Sequence, residues 1–165
     1  MQCIKPVLLI FLVAVLASCT EDDNWKMAAE IEESILMTTF PADTVIITDF
    51  GAVADDASFL NTGAIAAAIL KCHSEGGGVV FVPEGRWTTG PITLMSNVNL
   101  HIAKNATLAF STDYELYLPP VLTRWEGMDC YNIHPLIYAR DASNIALTGK
   151  GTIDGQASNE AWWWM

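Results

Sequence analysis

A short motif occurs twice in this chain, and the repeat narrows the folds open to it. Ser96-Asn97-Val98-Asn99-Leu100 returns as Ser143-Asn144-Ile145-Ala146-Leu147, and Ala106-Thr107-Leu108 is answered by Gly151-Thr152-Ile153. Each unit reads as a Ser-Asn corner, an alternating strand, a polar turn and a second short strand. The same texture begins at residues 76–94, GGGVVFVPEGRWTTGPITL. A glycine run opens that stretch and a β-branched apolar strand follows at 79–82. Then come a turn at Pro83-Glu84-Gly85, a charged-aromatic step at Arg86-Trp87 and a second turn at Gly90-Pro91. Further strands are expected at 92–94, 98–102, 107–110, 136–139, 145–148 and 152–153, with no amphipathic helix between them. Short strands at regular spacing suit a sandwich, a barrel or a solenoid. The echo favours the solenoid, whose stacked units align their inward residues over one continuous core. Asn97 and Asn144 would then stack as a corner ladder. Periodicity alone leaves the sandwich and the jelly roll open.

Upstream, apolar residues at 25, 28, 31 and 35 give helical spacing over 25–36. Pro41 ends any such helix, because it pushes Phe40 out of the helical region. A strand is expected at 45–48, leading to Asp49-Phe50-Gly51-Ala52, where Gly51 suits a turn of positive φ. Asp55 and Asp56 have no third oxygen-rich cluster nearby, so they read as turn and helix-capping chemistry rather than a metal site. The strongest helix runs over 61–73, with Ala64, Ile65, Ala68, Ile69 and Cys72 on one stripe. Gly76-Gly77-Gly78 stops it. A phosphate cradle needs strand, glycines and helix in that order; here the order is reversed. His73 reads as a polar residue at the helix end.

The N-terminus has the pattern of a leader. Lys5 precedes eleven unbroken apolar residues, 7–17. That run is too short to span a bilayer and suits the apolar region of a signal peptide. Leu16-Ala17-Ser18-Cys19 resembles the bacterial lipoprotein cleavage motif, which implies cleavage before Cys19 and lipidation of its thiol. Thr20-Glu21-Asp22-Asp23 resembles a lipoprotein surface-export signal. The expected organisation is a signal peptide at 1–19, a linker with a short helix at 20–44, and a cap with the first coils at 45–165. The expected location is exported, lipid-anchored to the outer membrane, periplasmic or cell-surface. A net charge of −11 argues against nonspecific nucleic-acid binding, which needs a basic face. Setting Cys3 and Cys19 aside leaves Cys72 and Cys130, with no CxxC spacing to suggest zinc. Cys72 reads as a small core residue on its helix.

Residues 111–135 interrupt the echo. They hold Tyr114, Tyr117, Pro119-Pro120, Arg124-Trp125-Glu126-Gly127, Asp129, Tyr131 and His134. A loop this long is usually functional or disordered, and its aromatic content argues against disorder. Aromatic rings with interleaved charges suit a sugar: C–H faces stack, while hydroxyls and carboxylates take hydrogen bonds. Arg124, Trp125 and Glu126 are the candidate substrate-binding residues, with Arg124 suited to a uronate carboxylate. The competing reading pairs Arg124 with Glu126 or the scaffold and buries Trp125.

Together these segments resemble glycoside hydrolase family 28, the polygalacturonases. The resemblance is carried by ITDFGA at 47–52, Asn61-Thr62, the 76–94 stretch, SNVNLHI and NATL. It is carried more specifically by TRWEG at 123–127, PLIYA at 135–139 and GKGTIDGQ at 149–156. It is strongest to the bacterial exo-acting or rhamnogalacturonan-processing branch and covers about residues 40–164. It implies an all-β fold: a right-handed parallel β-helix of the pectin lyase-like type, N-terminal coils only, preceded by a capping α-helix. It implies hydrolysis of α-linked galacturonic acid chains with inversion, a pectin-type polysaccharide or oligogalacturonide as partner, and no metal or organic cofactor. The family's catalytic carboxylates lie in Asn-Thr-Asp and Asp-Asp motifs, supported by Gly-His-Gly and Arg-Ile-Lys. Asn-Thr-Asp, Gly-His-Gly and Arg-Ile-Lys are absent here, and the Asp-Asp pairs at 22–23 and 55–56 read as linker and turn, so no catalytic residue is assigned and the chain is expected to be the inactive front part of a longer enzyme. Asp154 is expected to fix a turn, and Ala157 stands where the family usually has glycine. A polysaccharide lyase on the same scaffold and a non-catalytic glycan-binding β-helix are the alternatives.

Overall fold

A computed structural model describes residues 23–162; the expected leader, with Cys19, lies outside them. The described residues fall in two units, one ending at Met37 and the other starting at Thr38. In the first, α1 (Asp23–Ser34) is the helix that the 25–36 spacing predicts, with Trp25, Met27 and Ile31 exposed. No helix among the described residues is long and apolar enough to cross a membrane.

The second unit runs β1 (Thr44–Ile46), a 3-10 turn (Ile47–Phe50), α2 (Thr62–Ser74), β2 (Gly78–Val82), β3 (Gly85–Thr89) and β4 (Ile92–Thr93). It continues through β5 (Val98–Ile102), β6 (Ala106–Phe110), a 3-10 turn (Tyr114–Tyr117), β7 (Val121–Trp125), β8 (Met128–Asn132), β9 (Ile137–Tyr138), β10 (Ala146–Gly149) and β11 (Thr152–Asp154). Three parallel sheets form from strands one turn of chain apart: β1-β2-β5-β10, β3-β6-β11 and β4-β9. This is a parallel β-helix. The echo in the sequence is its register. Leu147 pairs with Leu100 and Ile153 with Leu108, as the repeated motifs require.

Alternation of side chains along each strand decides what is buried. Val80 and Val82 of β2 point inward and pair with Leu100 and Ile102 of β5; Trp87 of β3 pairs with Leu108 of β6. Like residues thus stack on like, one continuous core below three sheets. The end of that core is covered by α2, whose Ile65, Ala68, Ile69 and Cys72 pack with the 3-10 turn, β1, β2, β4 and β5. Cys72 is therefore the core residue it was expected to be, and its burial pushes the thiol pKa up. His73 ties the helix end to the coil, its Nδ1–H donating to the Ser96 carbonyl at 2.8 Å.

The corner ladder is present. Asn97 (φ 65°) and Asn144 (φ 52°) are both left-handed, and the Asn144 amide donates to Asn97 Oδ1 at 3.1 Å. The same amide reaches the Thr39 carbonyl at 3.0 Å. Beneath Asn97 lies Gly77 at φ 104°, where a Cβ would strike the Asn97 Cβ and carbonyl oxygen. The glycine run therefore lets one corner nest under the next, and Gly78 N–H donates to the Asn97 carbonyl at 2.9 Å.

Three expectations need correction. The strand at 45–48 ends at Ile46, because Ile47 turns inward, fully buried, into the 3-10 turn closed by Gly51 at φ 85°. The charged-aromatic step at Arg86-Trp87 is a full strand, β3. Arg86 faces out while Trp87 is buried with its Nε1–H on the Pro83 carbonyl at 2.8 Å. Asp55 and Asp56 do turn chemistry, accepting from Arg86 N–H and from Ser58, but they cap no helix. Nor does Asn61 cap α2. It is wholly buried, and its side chain holds Val53 N–H at 2.7 Å and the Thr88 carbonyl at 3.1 Å, joining the preceding loop to β3.

The ladder gives a prediction. Asn97→Ala loses a hydrogen bond and places an alanine in the left-handed region, together costing about 2–3 kcal/mol. Asn97→Gly loses only the bond and tolerates the backbone, costing about 1 kcal/mol. Denaturant unfolding of both variants checks this; equal destabilisation would remove the backbone from the explanation.

Candidate functional site

Residues 111–136 leave the stacked coil after β6 and return to it at β9, which pairs with β4. The excursion is an ordered body. Asp113 accepts from Glu115 N–H at 3.1 Å to start its 3-10 turn. Tyr117 is buried, its hydroxyl donating to the Ser111 carbonyl at 2.7 Å. Burial pushes the Tyr117 pKa up to about 12. Beyond it, β7 and β8 pair antiparallel with Trp125 opposite Met128. That register leaves Glu126-Gly127 as a two-residue turn, at φ 47° and 86°. Two left-handed residues in succession define the turn type that matches strand twist, and Gly127 fits its second position freely.

The hairpin distributes the three expected substrate-binding residues unequally. Arg124 lies on β7 opposite Asp129, with one terminal N–H on the Gly127 carbonyl at 3.1 Å. Trp125 is 64% exposed at the tip, so it is not the buried residue of the competing reading. Glu126 is a turn residue, and no ion pair joins it to Arg124 among the described residues.

A pocket of about 240 Å³ opens between the hairpin and the strand it returns to. Leu122, Thr123, Arg124 and Asp129 line it from the hairpin, and Tyr138 and Arg140 from the coil; Trp125 and Glu126 do not. The Tyr138 hydroxyl donates to the Leu122 carbonyl at 2.6 Å and fixes the hairpin to the coil. Tyr138 and Arg140 were missed in the sequence. They follow Arg124 by more than a dozen residues, and only the pairing of β9 with β4 brings them beside it. His134 braces the same strand: its ring lies 5.1 Å from that of Tyr138, and Nε2 meets the Thr93 hydroxyl at 3.0 Å.

A second cavity, of about 280 Å³, lies under the excursion and is nearly all apolar, with Tyr117, Ile133, Leu136 and Trp162 in its walls. Trp162 stands edge-on to Tyr117 at 5.3 Å, its Nε1–H on the Gly155 carbonyl at 2.8 Å. On the outer face of β3-β6-β11, Arg86 spans to Asp154 at 3.3 Å and Gln156 at 3.1 Å. The other Asp154 oxygen accepts from Gln156 N–H at 2.9 Å, so Asp154 fixes the turn expected of it.

Stacked parallel sheets, an asparagine corner ladder, a covering helix and a hairpin beside a two-arginine pocket define a parallel β-helix protein with a polar surface site. No family model matches the chain. It is 30% identical over 171 residues to a probable polygalacturonase of Vitis vinifera, covering 98% of this chain and 34% of that protein. Among solved structures, it superposes on an exopolygalacturonase from Thermotoga maritima with a TM-score of 0.78 and 43% identity, covering 84% of this chain and 30% of that one. A family 28 exopolygalacturonase of Yersinia enterocolitica gives a TM-score of 0.62 and 32% identity, with 70% and 21% covered. Its homologues are thus polygalacturonases and exopolygalacturonases of glycoside hydrolase family 28, at 30–43% identity. The chain spans 34% or less of the length of these three relatives.

Tyr117 supplies a pH prediction. Its hydroxyl titrates near 10 when unfolded and at about 12 when folded. Below pH 10 both states are protonated and this group changes nothing. As pH rises from 10 through 12, the folded state holds a proton that the unfolded state releases, and about 2–3 kcal/mol of stability is lost. Tyr117→Phe costs about 1 kcal/mol at neutral pH and removes that alkaline loss. Denaturant midpoints between pH 7 and pH 12 measure both; parallel curves for the two proteins would contradict the assignment.

Proposed function

We propose that this chain is the N-terminal part of a hydrolase of galacturonic-acid-containing polysaccharide, with the hairpin around Arg124–Glu126 set beside the bound sugar chain. The observation that carries this reading is the 43% identity to an exopolygalacturonase over 84% of the chain. The β-helix winds right-handed on this reading, in keeping with the general preference of parallel crossovers.

The proposed chemistry is inverting hydrolysis. It needs a general acid at the leaving oxygen and a general base about 6.5–9.5 Å away, with a water between them. The Asn-Thr-Asp motif of the resemblance is not among these 165 residues, and the described Asp-Asp pair, Asp55-Asp56, is engaged in a turn. The carboxylates would stand on coils that follow. Exposure supports such coils. Leu147 and Ile153 are 44% and 42% exposed, whereas Leu100 and Leu108, their partners one level below, are fully buried. A further coil would cover them. On the same reading the leader directs export, and a lipid on Cys19 holds the protein to the outer membrane.

The test uses the protein in its natural length on polygalacturonate. New reducing ends without ultraviolet absorbance support the hydrolase; unsaturated products indicate a lyase; binding without turnover indicates a glycan-binding module. Trp125→Ala is expected to weaken oligogalacturonate binding about tenfold, the scale of one lost aromatic anchor. Unchanged affinity in a titration would take the hairpin tip out of the binding surface.

A further inference from the structure

The first unit carries the densest run of exposed apolar side chains among the described residues. Trp25, Met27, Ile31, Ile35, Leu36 and Met37 all lie between residues 25 and 37, and each is 56–91% exposed. On α1 they are not scattered. A helix turns by about 100° per residue, so residues four apart share a face. Met27, Ile31 and Ile35 therefore follow one another along the helix, with Ala28 beside them. Ile35 continues the turn past the last helical residue, its N–H on the Glu32 carbonyl at 3.2 Å. Trp25 and Glu32 share one margin of this stripe, while Lys26, Glu30 and Glu33 lie on the far side. A helix divided in this way has a face made for an apolar neighbour.

Position, length and charge point to a bilayer surface as that neighbour. Cys19, the proposed lipidation site, stands four residues before Asp23. Even fully extended, four residues reach about 14 Å, so a lipid on Cys19 would keep the start of α1 at the headgroup layer. The 12 residues of α1 measure about 18 Å, well short of a hydrocarbon core of about 30 Å, so the helix lies along the surface and not through it. Trp25 at the margin of the stripe suits that depth, because indole has an apolar body and one N–H for the wet side. The polar face is acidic. Glu30 and Glu33 outweigh Lys26 there, and Glu21-Asp22-Asp23 come just before. Surface helices rich in lysine gain from anionic lipid; this one is repelled by it and depends on apolar contact.

We infer that α1 lies flat in the interface of a zwitterionic bilayer, with the Met27-Ile31-Ile35 stripe against the acyl chains and Glu30 and Glu33 towards water. The inference rests on the proposed lipid anchor for its location and takes nothing from the proposed hydrolysis. A lipid four residues away presents the helix to the bilayer at high effective concentration, so a short apolar face is enough to hold it there.

The full chain in vesicles of phosphatidylcholine and phosphatidylethanolamine tests this. Lipids brominated near the top of the acyl chain are expected to quench Trp25, read as the difference between the unaltered chain and Trp25→Phe. Amide exchange over residues 24–34 is expected to be about tenfold slower in the unaltered chain than in the Ile31→Gln, Ile35→Gln double variant. Glu30→Gln, on the far face, keeps the protection. Replacing part of the phosphatidylcholine with phosphatidylglycerol lowers it. That last comparison uses the unaltered chain, so a variant that misfolds does not shield the inference. Equal exchange in the double variant, or protection indifferent to phosphatidylglycerol, would overturn it. Protection that rises with protein density on the vesicle would assign the stripe to a second copy, and protection with Trp25 unquenched would assign it to the rest of the chain; either is a refutation. The mass of the N-terminal fragment separates this inference from the anchor. An unmodified Cys19 with a quenched Trp25 removes the lipid and leaves the helix at the bilayer, whereas a lipid-bearing Cys19 with Trp25 unquenched does the reverse.

Discussion

The second unit depends on one constraint: each strand must meet its parallel neighbour one turn of chain later, in register. A slip of a single residue would turn every inward side chain to solvent. Register is held at the corners, where Asn97, Asn105 and Asn144 all adopt left-handed backbone. There the chain bends sharply enough to start the next strand at a fixed height. The Asn144–Asn97 bond and the nesting of Gly77 beneath Asn97 then lock successive corners together. Once those positions are set, the stacks of Val80 on Leu100 and Trp87 on Leu108 follow from alternation alone.

The same constraint explains how a 26-residue excursion, 111–136, fits without disturbing the core. It leaves at the end of β6 and returns where β9 can pair with β4, so the stacking above and below is unchanged. The loop carries its own supports: buried Tyr117, the Glu126-Gly127 turn, and the Tyr138 bond to Leu122. A rigid scaffold bearing a self-supported hairpin can place side chains to a fraction of an ångström while leaving their identity free to vary. That division of labour puts packing in the interior of the coil and lets the excursion set its polar side chains beside Tyr138 and Arg140 of the coil.

What the sequence disclosed follows the same division. The SN-V-N-L echo announced both the strands and their register, because equal positions in stacked turns face equal environments. The alanine-rich stripe of α2 was legible for the same reason. β3 was hidden because Gly85 and Arg86 look like a turn and a charged step; only the inward row of Trp87 and Thr89 shows the strand. Thr89 is polar yet fully buried, its hydroxyl within reach of Thr62 and the Gly90 carbonyl, so polarity misled where hydrogen bonding decided. The hairpin was read as a loop because Glu126-Gly127 is an uncommon version of its turn, usually built from asparagine or aspartate before glycine. Arg140 could not be joined to Arg124 from sequence, since their proximity is a product of tertiary pairing.

A chain of net charge −11 is at first sight a poor partner for the polyanion that the proposed function assigns it. Ionic screening resolves the difficulty. At physiological salt, exposed charges separated by more than about 8 Å scarcely feel one another. The acidic balance of the whole chain therefore governs solubility, while the few cations within a pocket's reach govern what that pocket accepts. Arg124 and Arg140 outnumber Asp129 inside theirs. On the proposed function, long-range attraction of a uronate polymer is weak under these conditions, so recognition would have to come from short-range geometry. That places the burden on the fixed spacing between hairpin and coil, and so on the register that holds β9 against β4.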